Sequence, residues 1–109
     1  MTNTLKNAKK ALTTSSQDIY TCPASTKAII TNSHLANVDG TNNASATLDW
    51  TDSSDSNAAT KIINTVDVPA DAALSVLPKP IYLEAGDKLR GLASASGDIE
   101  ATVALIEIA

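Results

Sequence analysis

Phenylalanine is missing from this chain, and tryptophan, methionine and cysteine occur once each, at Trp50, Met1 and Cys22. Tyrosine occurs twice, at Tyr20 and Tyr82. Alanine, valine, isoleucine and leucine must therefore supply the core. Each buries less area than an aromatic ring, so at roughly 25 cal/mol per Å² a lone copy is expected to be moderately stable. Burial between copies would add to it. A single cysteine excludes an intrachain disulfide and a cysteine-rich zinc site. Charged residues make up 18% of the 109 residues, too few for helices laced with Glu and Lys. The net charge of −4 argues against a nucleic-acid footprint over the whole domain. No apolar run approaches the roughly 18 residues a membrane-spanning helix needs. Residues 1–14 have no continuous apolar stretch, so the expectation is that they are not a secretory signal and that synthesis is intracellular.

What is present in quantity is Ser, Thr and Asn, the composition of strands with a Thr- or Ser-bearing outer face. Residues 1–16 read as an N-terminal arm or first edge strand. Within them, Leu5, Ala8 and Leu12 fall at helical spacing, enough for one turn at most. Lys6, Lys9 and Lys10 would let such an arm dock on an acidic neighbour. Ala11–Thr14 and Asp18–Cys22 read as a broken first strand kinked at Ser15-Ser16-Gln17 and closed by Pro23, which lacks a ladder donor. Lys27–Val38 is the longest β-leaning run. Unbroken alternation would put Ala28, Ile30, Asn32, His34, Ala36 and Val38 on one face and Ile29, Thr31, Ser33 and Leu35 on the other. Neither face is purely apolar. Asp39-Gly40 marks a turn.

Residues 44–51 alternate cleanly. Ala44, Ala46, Leu48 and Trp50 point one way, and Ser45, Thr47, Asp49 and Thr51 form an expected wet face. Ala58–Val68 and Ala73–Leu77 follow as strands. Pro78–Leu92 reads as a hairpin whose Glu84-Ala85-Gly86-Asp87 makes the reversal, with Gly86-Asp87 serving as turn chemistry. Lys88 and Arg90 on its returning strand would pair with Glu84 or with a neighbouring subunit. Ile99–Ile108 is apolar on both sides, an aggregation hazard unless covered. The pattern predicts an all-β fold, a small antiparallel β-sandwich of seven to eight strands over residues 17–109, jelly-roll or immunoglobulin-like.

The candidate chemistry is thin, and it yields no catalytic, cofactor-binding or metal-binding residue. His34 has Asn32, Ser33 and Asn37 nearby in sequence but no nucleophile elbow to serve. Cys22 has neither basic neighbours nor a helix N-terminus to activate it, and reads as a small buried hydrophobe. Asp49, Asp52 and Asp55, with Ser53, Ser54 and Ser56, read as a solvated loop. A weak calcium site is the alternative, although the EF-hand pattern is absent. Trp50 continues an inward face, so it reads as a core anchor before it reads as a sugar-stacking platform. Asn43-Ala44-Ser45 matches a glycosylation sequon with no secretion signal behind it.

Three segments in order resemble a family of small virion structural proteins of tailed bacteriophages. They are Ile19-Tyr20-Thr21-Cys22-Pro23-Ala24, then Lys27-Ala28-Ile29-Ile30 leading to Leu35-Ala36-Asn37, then Ile81-Tyr82-Leu83-Glu84-Ala85-Gly86-Asp87-Lys88-Leu89. The resemblance covers about residues 17–108. It implies a capsid cement or decoration protein on the surface of the virion. Such a protein binds the major capsid protein, acts as a homo-oligomer that is often a trimer, and has no catalytic residues, nucleic acid or membrane among its attachments. A neck, tail or fibre component is the alternative within that class, and a carbohydrate-binding module using Trp50 is the alternative outside it.

Overall fold

The computed structural model describes residues 2–77 and 79–109. Met1 and Pro78, the residue that opens the hairpin stretch, lie outside them. Nine strands are present among the described residues, against the seven to eight expected: β1 (Asn3–Ala11), β2 (Gln17–Thr21), β3 (Lys27–Asn37), β4 (Ala44–Asp52), β5 (Ala58–Val68), β6 (Ala73–Ser75), β7 (Ile81–Leu83), β8 (Lys88–Ala93) and β9 (Ile99–Ile108). The stretch left open as an arm or first edge strand is β1, paired along its length with β9, and β7 is three residues beside the first half of β3.

The strands form two antiparallel sheets. Sheet I has the order β1-β9-β3-β6, with β7 also against β3, and sheet II has the order β2-β8-β4-β5. Apart from the β4–β5 hairpin, sheet neighbours are distant in sequence. The chain passes from β1 in sheet I to β2 in sheet II, back to β3, and across again to β4. That is the winding of a jelly roll, and it decides between the two sandwich types left open by the sequence. The segment read as one broken strand is in fact two strands in different sheets. Leu12, fully buried, is the stitch between them: its N–H donates to Ile99 O and its carbonyl accepts from Gly97 N.

The core is aliphatic, as the composition requires. Leu12, Leu35, Leu48, Val68, Ile99 and Val103 are fully buried, while Trp50 packs only at the margin. Asn37 closes β3 as a buried polar hub. Its Nδ2 donates to Asn42 O and Val68 O, each at 2.9 Å, and its Oδ1 accepts from Asp39 N at 2.9 Å. The position before the Asp39-Gly40 loop is thus held by a side chain that replaces three missing ladder bonds.

Two facings differ from strict alternation. The register of β3 against β9 shifts between Ile30 and Asn32, so Thr31 is an extra residue. Ala28, Ile30, Ser33, Leu35 and Asn37 point inward, whereas Asn32, His34 and Ala36 do not. The Thr31 hydroxyl donates to Ala104 O at 3.2 Å. On β4 the expected wet face is dry, with Thr47, Asp49 and Thr51 all buried. The β4–β5 register shifts on both sides of Leu48, and Thr65 adopts a left-handed φ of 54° that turns its N–H onto Thr47 Oγ1. The irregular β5 edge folds polar groups over the β4 surface.

Candidate functional site: outer faces and open edges

The expected Pro78–Leu92 hairpin does not form among the described residues: β7 pairs with β3 in sheet I and β8 with β2 and β4 in sheet II. The turn between them carries the chain from one sheet to the other, and a buried carboxylate organises it. Asp87 is 1% exposed and accepts from Ser53 N and Ser53 Oγ at 2.9 Å, Glu84 N at 3.0 Å and Trp50 Nε1 at 3.3 Å. Burial pushes its pKa up, but these donors outweigh burial and hold it below the ordinary aspartate value. It joins the turn, the short 3-10 turn Ser53–Asp55 and the indole. The reading of Gly86-Asp87 as turn chemistry alone is therefore corrected for Asp87, while Gly86, at φ 87°, supplies the left-handed residue of a turn that crosses between the sheets.

A second cluster ties the edge strand to both sheets. Tyr20 Oη donates to Glu107 Oε2 at 2.6 Å, and Lys6 Nζ lies 3.3 Å from Glu107 Oε1. The Tyr20 bond, then Lys6, lower the Glu107 pKa against an opposing effect of burial. Burial first, then the Glu107 carboxylate, raises that of Tyr20. Cys22 lies nearby, buried, its thiol donating to Thr26 O at 3.3 Å. Burial, followed by the charges of Glu107 and Asp87, moves its pKa upward. Its place as a small buried hydrophobe is as expected. Because the Glu107 pKa is depressed on folding, its contribution is full above the ordinary glutamate value of 4.5 and is lost as pH falls through the folded value. Acid titration of unfolding should therefore show a stability loss below about pH 4.5 that is smaller in Glu107→Gln. An unchanged acid limb would contradict the cluster. Tyr20→Phe should cost about 1.5–3 kcal/mol by denaturant titration, the range for a bond to a charged acceptor.

On the outer face of sheet II, one cross-strand row alternates in charge. Asp18 of β2 is opposite Arg90 of β8, Arg90 is opposite Asp49 of β4, and Asp49 is opposite Lys61 of β5. Arg90 Nε is 2.8 Å from Asp18 Oδ1, Lys88 Nζ 3.5 Å from Asp18 Oδ2, and Lys61 Nζ 3.6 Å from Asp49 Oδ1. Lys88 and Arg90 thus pair with Asp18 and not with Glu84. The row ends on open edges at both sides, with the Asp18 side chain 44% and that of Lys61 56% exposed.

The outer face of sheet I carries an apolar row. Leu5 of β1 is opposite Ile106 of β9, Ile106 is opposite Ile29 of β3, and Ile29 is opposite Tyr82 of β7. The central pair is half-buried, and the two ends protrude, Leu5 at 81% and Tyr82 at 71% exposed. Beside the row, Ile29, Tyr82 and Ile108 line a surface recess of about 500 Å³ with Lys27 and Glu84. The strand β1 is itself exposed on both faces apart from a half-buried Ala8, so it lies outboard of the two-layer core.

The remaining candidates are dispersed. His34 is exposed, with a ring nitrogen 3.1 Å from Asn32 Nδ2, and Ser33 points the other way into the core. Asp49 belongs to the charge row, Asp52 accepts from Ser54 N as the cap of the 3-10 turn, and Asp55 is exposed on it. They do not converge, and among the described residues no group of three or more His, Cys, Asp or Glu side chains is placed to hold a metal ion. Asn43 of the sequon accepts from Ala70 N at 3.0 Å. Leu5, Tyr82, Asp18 and Lys61 escaped sequence reading as functional positions. Each is a commonplace residue whose significance lies in sharing a row across strands far apart in the chain.

No family model and no curated protein matches the chain. A solved structure described as "Bacillus endospore appendages form a novel family of disulfide-linked pili" is similar to it, with a TM-score of 0.56 and 15% sequence identity over 97% of this chain and 85% of that one. At that identity the likeness concerns the fold.

Proposed function

We propose that this chain is a structural subunit of a multi-copy particle, and most specifically a cement or decoration protein that binds between capsid subunits of a tailed-phage head. The carrying observation is the apolar row from Leu5 to Tyr82, which crosses the full width of sheet I and is open at both ends. Small monomers seldom leave such a continuous apolar strip uncovered, and strips of this kind mark contact surfaces. The basic edge strand beside it, with Lys6, Lys9 and Lys10, suits an acidic neighbour such as a capsid surface. Sequence motifs supply the phage assignment, and surface contact repeated by symmetry supplies the mechanism. No catalytic role is assigned to any residue.

A second reading, a tail, fibre or appendage subunit, is favoured by the fold likeness to an appendage protein. The disulfide linking named for that protein does not carry over. A covalent chain of copies needs two thiols per copy, whereas these 109 residues hold one, and it is buried. Symmetry-resolved imaging of purified particles tests both readings. Density for this fold between capsomers is expected, in copies that follow the shell's symmetry. Density confined to a tail or fibre would replace the cement assignment by the second reading, and absence from particles would end both.

A further inference from the structure

The two cross-strand rows have ends that match each other. Sheet II ends on Asp18 at the β2 edge and on Lys61 at the β5 edge, opposite charges at opposite sides of one row. Sheet I ends on Leu5 at the β1 edge and Tyr82 at the β7 edge, the two most exposed large hydrophobics among the described residues. Strand direction matches too. Three antiparallel steps separate β2 from β5, and three separate β1 from β7, so the two edges of each sheet run antiparallel. A copy translated along the rows would thus present β1 to β7 and β2 to β5 in antiparallel orientation. Leu5 would meet Tyr82, and Asp18 would meet Lys61.

We infer that copies of this protein associate side by side, each presenting its β1/β2 side to the β5/β7 side of the next, so that the apolar row and the charge row run on from copy to copy. The occupant of the exposed edges is a second copy, because each row supplies the complement of its own free end. The contact is heterologous, and the right-handed twist of sheets turns the repeat into a ring or a helical file instead of a closed pair. The lysines of β1 and the irregular β5 edge limit indiscriminate pairing of those strands. This deepens the multi-copy structural reading and rests on it for the crowding that brings copies together.

Paired cysteines test it. Within one copy Leu5 and Tyr82 are three strand spacings apart, roughly 14 Å, too far for a disulfide, whereas antiparallel neighbours across a new contact stand about 5 Å apart. Leu5→Cys combined with Tyr82→Cys should give, on mild oxidation of concentrated protein, a ladder of oligomers beyond the dimer on non-reducing gels. Lys9→Cys with Tyr82→Cys, out of register by four residues, should give little. Adding Lys61→Glu, which sets like charge against Asp18, should cut ladder formation by about tenfold. Leu5, Lys9, Lys61 and Tyr82 are all exposed, so circular dichroism should report an intact fold. Dimers formed equally by either single cysteine variant would mean like-to-like pairing and would overturn the inference, as would monomer alone. The same variants assembled on particles separate the two proposals. Particle-bound protein without a ladder removes side-by-side contact alone, and a ladder in solution without particle binding removes the functional reading alone.

Discussion

Asp87→Ala is expected to lower stability by about 3–5 kcal/mol at pH 7, from the cost of leaving several donors aimed at an empty site. The carboxylate serves Ser53 N, Ser53 Oγ, Glu84 N and Trp50 Nε1, and among the described residues it forms no ion pair, so dipoles alone balance its charge. For a domain whose net stability is about 5–15 kcal/mol, that loss is a large share. Asp87→Asn should fall between, at about 2 kcal/mol, because one oxygen still accepts while the new NH₂ faces a donor. Denaturant titration followed by Trp50 fluorescence reads both, and the indole should lose its fixed surroundings first. A loss below about 1 kcal/mol for the alanine variant would mean that the turn holds itself without the carboxylate. The pH dependence follows the same sign as for Glu107. A depressed folded pKa makes the contribution full above the ordinary aspartate value and lost below the folded one.

Gly91→Val should be the most damaging single change in the sheet interior, at about 3 kcal/mol or more. A Cβ at Gly91 would lie 2.8 Å from Leu48 Cδ2, 3.1 Å from Ile19 Cδ1 and 3.2 Å from Leu12 Cδ2. Those three side chains come from β4, β2 and the β1–β2 link, so strain there pushes on sheet II and on the link that joins it to sheet I. Gly91→Ala should cost about 1–2 kcal/mol, and Leu48→Val in the same chain should recover part of it, since neighbours in one packed site are not additive. Calorimetric midpoints of the four proteins give the cycle. Additive effects would show that the clash is relieved elsewhere.

Period-two patterning and turn residues were enough to read the sandwich class, because strand faces and Gly-Asp or Asp-Gly reversals are local signals. The choice of jelly roll was not legible. It depends on which strands share a sheet, and sequence neighbours such as β1 and β2 are split between sheets by the single buried Leu12. Trp50, read as a core anchor, lies half-buried at the margin, because its indole N–H reaches out to Asp87. The buried polar face of β4 was also hidden, since its cover comes from irregularities in β5 that follow no period. Likewise, no local pattern in the sequence marks Asp18 or Lys61. Their relation is one of register across four strands, and register is set by the whole sheet.

Thr31 has a larger role than its one hydroxyl bond. As the extra residue of β3 it reverses the facing of everything after it, turning Asn32 and His34 outward and Leu35 inward. The outer surface of sheet I is thereby divided into two territories, an adhesive one around Ile29 and a wettable one around His34, with a single residue as the border. Deleting Thr31 would erase that border. Either the far half of β3 would turn Leu35 to solvent and His34 into the core, or the near half would lose its place against β7. A one-residue insertion in a strand is thus what lets a small aliphatic sandwich be sticky on one half of a face without being sticky on all of it.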